Sequence, residues 1–111
     1  MDSILISIKK LLGIDEFYDH FDADIIMCIN SAFSVLNQLG IGPPEGYVIT
    51  DSTQTWTDFF GDRKDIELVK TYVYMKTRLI FDPPSSSSVI EAFNKQISEF
   101  EWRLNVAVET S

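Results

Sequence analysis

The sequence predicts an all-α bundle of about four main helices, with a short β-hairpin or loop between the second and third. Two observations carry that expectation. Four segments repeat apolar residues at spacings of three and four, the period of a helix that buries one face. One stretch, 45–61, loses that period and turns to aromatic and β-branched residues between turn formers. Length supplies a bound: 111 residues make one domain, 1–111, with surface enough to bury a single core. At 45% hydrophobic and 13% aromatic, the bulk of the chain is not disordered.

The first helix spans Ser3–Leu12, where Ile4, Leu5, Ile8, Leu11 and Leu12 share a face and Gly13 stands at the C-cap position. The acidic stretch DEFYDHFDAD, 15–24, leads into a second helix that Asp22 or Asp24 can cap. Its apolar face is Ile25/Ile26, Ile29, Phe33, Leu36 and Leu39; Gly40 ends it and Pro43-Pro44 bars continuation. Tyr47-Val48-Ile49-Thr50, a turn at Asp51-Ser52 and a return through Thr53-Gln54-Thr55 read as the hairpin. Two strands alone are marginal in water, so this element must lean on the helices or on a neighbouring subunit, and 46–60 is expected to bind a partner and not to belong to the core. Residues 56–61 then form one helical turn closed by Gly61.

A long helix follows over Asp65–Phe81, with an apolar arc wide enough to be buried on more than one side. The run DPPSSSS stops it, because the residue before a proline is biased out of the helical region. Beyond it, Val89/Ile90, Phe93, Ile97, Phe100, Leu104 and Ala107/Val108 make a final helical seam. Ser88, with Glu91 three residues on, matches a capping box. The run therefore reads as a joint between antiparallel helices, built on Asp82, Pro83, Pro84 and Ser88, and not as a flexible linker or phosphorylation cluster.

The net charge is −8, all of it in the first half: residues 1–62 hold ten acids and two bases. Residues 63–111 balance seven acids with seven bases, namely Arg63, Lys64, Lys70, Lys76, Arg78, Lys95 and Arg103. An acidic chain without a basic patch does not bind nucleic acid sequence-specifically. No apolar run exceeds Ile25–Ile29, far short of the ~20 residues of a membrane span. The opening residues place Lys9 and Lys10 after the apolar ones, the wrong order for a secretory signal.

Catalytic signatures are missing from the pattern. His20 stands among Asp15, Glu16, Asp19, Asp22 and Asp24, but the spacing matches no metal loop, and acids before a helix suit its dipole. Cys28 lies in an apolar run and reads as a small core residue. The expectation is a non-enzyme with no catalytic, cofactor-binding or metal residues and no cofactor. Aromatic residues are numerous for so small a core, which makes Tyr47, Val48, Ile49, Trp56, Phe59 and Phe60 candidates for a subunit or partner interface. Trp102 raises the same choice between core and surface.

Taken in order, KKLLGI (Lys9–Ile14), LNQLGIG (Leu36–Gly42), GYVITDSTQTWTDF (Gly46–Phe59), VKTYVYMKTRLIFDPP (Val69–Pro84) and EFEWRLN (Glu99–Asn105) span nearly the whole chain. Together they resemble the head–tail connector (adaptor) proteins of long-tailed bacteriophages and of prophages in Gram-positive bacteria. The resemblance implies a helical bundle that assembles into a ring, of about twelve subunits, below the portal protein. It also implies a ring that extends the DNA channel and docks the next head-completion or tail protein. The place implied is the virion head–tail junction, and the host cytoplasm during assembly. A rival reading of the charge is an acidic regulator or DNA mimic that occupies a basic partner, although the neutral second half fits it poorly.

Overall fold

The computed structural model describes residues 3–61 and 66–110, with side chains to 106. Five helices follow one another: α1 (Ile4–Leu11), α2 (Asp22–Gln38), α3 (Trp56–Phe60), α4 (Ile66–Phe81) and α5 (Ser87–Thr110). The helix start expected at Asp65, the bases Arg63 and Lys64, and the side chains of Ala107 and Val108 lie outside the described residues.

Local rules explain the ends. Ser3 caps α1, its hydroxyl accepting from the Ile6 N–H at 3.2 Å, and Gly13 takes φ +80° just past the other end. Thr55 and Asp58 form a reciprocal capping box on α3: the Asp58 N–H donates to Thr55 Oγ1 and the Thr55 N–H to Asp58 Oδ2, both at 3.1 Å. Two expected caps are corrected. Phe21, not an aspartate, holds the N-cap position of α2 and makes no side-chain cap bond, while Asp22 and Asp24 lie in the first turn. There they still favour the positive end of the helix dipole. Ser88 is inside α5, which starts one residue earlier, so it is not the cap.

The core lies between α2 and α4, which pack most extensively on each other. Ile25, Ile29, Ala32, Phe33 and Leu36 of α2 meet Val69, Tyr72, Val73 and Met75 of α4, and α1 adds Ile4, Leu5 and Ile8. Each large apolar side chain so buried contributes about 1.5–3 kcal/mol. The chain is flattened, with extents of 40 × 35 × 20 Å, because α5 packs chiefly against α4 and, among its described side chains, buries Ile97, Phe100 and Leu104.

The hairpin is the main difference from expectation: the described residues contain no strand ladder between 47–50 and 53–55. The backbone groups that would build it are taken elsewhere. The Ile49 N–H donates to Asn30 Oδ1 at 2.8 Å, and Asn30 Nδ2 donates back to the Ile49 carbonyl at 3.0 Å. The Thr50 and Asp51 N–H groups both reach Gln54 Oε1, at 2.9 and 3.1 Å. The return half pairs with the N-terminus instead: the Ile4 N–H donates to the Gln54 carbonyl at 3.1 Å, and Ser3 bridges Thr55. Side chains satisfy this backbone where a ladder was expected.

Candidate functional site

Of the six candidate interface residues, four belong to the chain's own core. Ile49, Trp56, Phe59 and Phe60 are all buried. Phe33 is their hub, with ring contacts to Tyr47, Trp56 and Phe59 at 5.5, 6.1 and 4.6 Å. The Trp56 indole N–H donates to Ser7 Oγ at 2.8 Å, which satisfies its polar edge inside the fold. Segment 46–60 is thus part of the core, contrary to the expectation of a free docking element. Its outward-facing member is Val48, 62% exposed, beside the half-buried Tyr47.

Val48 and Tyr47 border a cleft of about 180 Å³ also lined by Asn30, Phe33, Ser34 and Asn37. Sites for drug-sized ligands run to about 300–1,000 Å³, so this cleft is small for one. Asn30 is engaged with Ile49, and Asn37 Nδ2 donates to the Pro43 carbonyl at 3.2 Å, leaving the cleft few uncommitted polar groups. Burial, and then the charge of Asp58, pushes the Tyr47 phenol up from its ordinary range.

The chain passes from α4 to α5 through residues 82–86. Phe81 ends α4, and Arg78 Nε donates to the Asp82 carbonyl at 3.2 Å across the exit. Pro83 and Pro84 carry the chain to α5, and Ser88 is exposed on its first turn. Nothing at the joint is arranged for chemistry. Among the described residues, no three His, Cys, Asp or Glu side chains come together as metal ligands. Cys28 is buried, and burial followed by the Asp24 charge raises its thiol pKa, the opposite of an activated nucleophile. No described helix is long and apolar enough to cross a membrane.

A different region gathers exposed apolar side chains. Loop 12–21 joins α1 to α2, and Lys9, 1% exposed, holds it in place. The Lys9 ammonium meets Asp22 Oδ1 at 2.8 Å, the Tyr18 carbonyl at 2.7 Å and the Glu16 carbonyl at 3.1 Å. Two backbone carbonyls accept its hydrogen bonds and the Asp22 carboxylate supplies the opposite charge, so the buried ammonium is not left unpaired. Asp15 tightens the bend: its carboxylate accepts from the Phe17 N–H at 2.8 Å and its carbonyl from the Tyr18 N–H at 3.1 Å. On this fastened loop Phe17 is 85% exposed, and Tyr18 and Phe21 are also exposed. Phe21 packs edge-on against Phe81 of α4 at 5.4 Å, and Tyr18 and His20 adjoin Phe21 at 5.8 and 4.8 Å.

Among the described residues Trp102, on the outer face of α5, is a further exposed aromatic side chain. Sequence reasoning missed Lys9 as a core residue, although it lies one turn after Leu5 on the buried face. It also treated Trp56 and Trp102 alike, although the structure puts one in the core and one at the surface.

The comparison with known families gives these surfaces a context. The profile of the phage connector protein family matches residues 4–111. The chain belongs to that family. As a phage connector protein it is a virion component, and such connectors are structural proteins. No curated protein and no solved structure matches this connector.

Proposed function

We propose that this connector is a non-enzymatic ring subunit at the head–tail junction, which assembles below the portal, extends the DNA channel and docks the next head-completion or tail protein. The observation that carries the reading is the family match over residues 4–111. Physical features agree with it. A heterologous contact repeated by rotation closes into a ring when the angle permits, and it needs two unlike faces on each subunit. The uneven charge supports such asymmetry: residues 1–62 are acidic, residues 63–111 balance acids with bases, and Trp102 is exposed on α5. Net negative charge suits a wall past which DNA must slide without sticking.

The test is mass by light scattering across protein and salt concentration, with negative-stain images of the same samples. The expected result is a monomer in dilute solution that closes into rings at high concentration or on the portal. Exposed charges are screened over about 8–10 Å at physiological ionic strength, so rings held partly by charge should loosen with salt. A two-fold dimer under every condition, with no ring in any, would overturn the reading.

A further inference from the structure

We infer that the α1–α2 loop is a preorganised docking knob for a basic protein segment that carries an apolar side chain, with Phe17 as its anchor. The inference deepens the assembly reading and rests on it for the premise that the chain docks partners. Phenylalanine is among the residues most often buried, yet Phe17 is 85% exposed on a loop that is firmly fastened. The fastening uses the buried Lys9 ammonium and the Asp15 turn, which hold backbone carbonyls, Asp22 and the Phe17 N–H. A loop ordered before binding loses little entropy on binding, which is what an anchor residue requires.

Phe17 precedes in sequence a run of ring contacts through Tyr18, His20, Phe21 and Phe81, and Ile80 is exposed next to Phe81 on α4. Charge selects the occupant. Asp15, Glu16 and Asp19 are exposed on the same loop and Asp24 on the first turn of α2, and the Lys9 charge is already matched by Asp22. An apolar ledge rimmed by carboxylates excludes nucleic acid and favours lysine or arginine around an apolar side chain. A second copy fits less well. Two of the bases on α4 and α5 already pair within their own helices, Lys70 with Glu67 and Arg103 with Glu99.

The probe is a fluorescein-labelled synthetic amphipathic helix of lysine and leucine, titrated by anisotropy against the full chain. Control peptides replace leucine by glutamine or lysine by glutamate. The lysine–leucine peptide should bind. The lysine–glutamine peptide, and the Phe17→Ala variant with the original peptide, should each bind roughly tenfold weaker or less, the scale of anchor truncation. Phe17→Ala removes an exposed side chain and should melt with the wild type; Phe17→Gln gives a second reading of the same contact. Glu16→Gln with Asp19→Asn should weaken binding about threefold at low salt and not at high salt. Lys9→Met keeps Phe17 but unfastens the loop, and should also weaken binding.

Equal binding by wild type and Phe17→Ala would overturn the inference, as would equal binding of the leucine and glutamine peptides. Displacement of the peptide by duplex DNA would overturn it in favour of a nucleic-acid site. Loss of self-association in Phe17→Ala with peptide binding unchanged would assign the knob to a second copy and overturn it likewise. Ring mass measured on the same variants separates the two proposals: rings without Phe17-dependent binding sink only the knob, and Phe17-dependent binding without rings sinks only the ring.

Discussion

Segment 41–60 and helix α5 invert the usual relation between regular structure and burial. The first has one short helix and otherwise irregular backbone, yet Ile41, Ile49, Trp56, Phe59 and Phe60 are buried in it. The second is the longest helix, 24 residues, yet Ile97, Phe100 and Leu104 are its buried positions among those described. Backbone satisfaction explains the difference. A helix carries its own hydrogen bonds and can stand at the surface with one seam docked. Irregular chain can enter a core only if side chains and neighbours supply its partners. Asn30, Gln54 and the start of α1 supply them here. Segment 41–60 is therefore core despite its irregular backbone, and α5 is an outer wall despite its clean helical period.

The largest test of that contrast is Trp56→Ala. Removing a large aromatic that is 1% exposed and bonded to Ser7 should cost about 3–5 kcal/mol, read by urea or thermal unfolding. A loss under about 1 kcal/mol would return segment 41–60 to the surface. Gly42→Ala comes next. An added Cβ would lie 2.4 Å from Phe59 Cε1, at a residue whose φ is +88°. Overpacking costs about 1–3 kcal/mol, and the positive φ adds to it. The Phe59 ring is confined between Phe33 and Phe60, so it has little room to move aside.

How far the sequence could be read follows from the same contrast. The period of three and four located the four main helices because that signal is local and each has a buried face. The α4–α5 joint was legible because proline acts on its immediate neighbours. The hairpin was misread because its fate turns on Asn30, some twenty residues earlier, whose amide replaces a strand partner for Ile49. No pattern within 47–55 announces that. The six interface candidates were chosen by residue type, which cannot distinguish a core aromatic from a docking one. Position could have helped in part: Trp102 lies two residues from both Phe100 and Leu104, on the side of the helix away from the seam. Phe17 had no such cue, because its exposure depends on Lys9 holding the loop.

Tyr72→Phe probes the single seam that holds α5. The Tyr72 hydroxyl donates to Glu101 Oε2 at 2.7 Å, and its loss should cost about 1 kcal/mol near neutral pH. Burial, then the hydrogen bond and charge of Glu101, hold this phenol well above the usual tyrosine range. The folded chain therefore keeps a proton that the unfolded chain releases near pH ~10. The stabilisation is complete below that pH and is lost as pH rises past it. Unfolding free energies measured across that range should fall in the wild type and fall less steeply in Tyr72→Phe. Equal slopes would mean that Tyr72 does not couple α5 to α4.

The smallest expected effect on stability belongs to Trp102→Ala, and it sharpens the contrast because it repeats the Trp56 substitution on the other region. Trp102 is 67% exposed, and the seam of α5 is completed without it by Ile97, Phe100 and Leu104. Substitutions at exposed helix positions usually stay within about 0.5 kcal/mol, and alanine has the higher helix propensity of the two. Trp102→Ala should therefore unfold within that margin of wild type, or be slightly more stable. Fluorescence gives an independent check, since the chain has only these two tryptophans. Trp102→Ala should leave the shielded emission of Trp56, poorly quenched by iodide, whereas Trp56→Ala, where folded, should leave red-shifted and readily quenched emission. A large loss of stability in Trp102→Ala would place the outer face of α5 in the core. Unchanged stability with weakened ring formation would identify that face as the surface a neighbouring subunit covers.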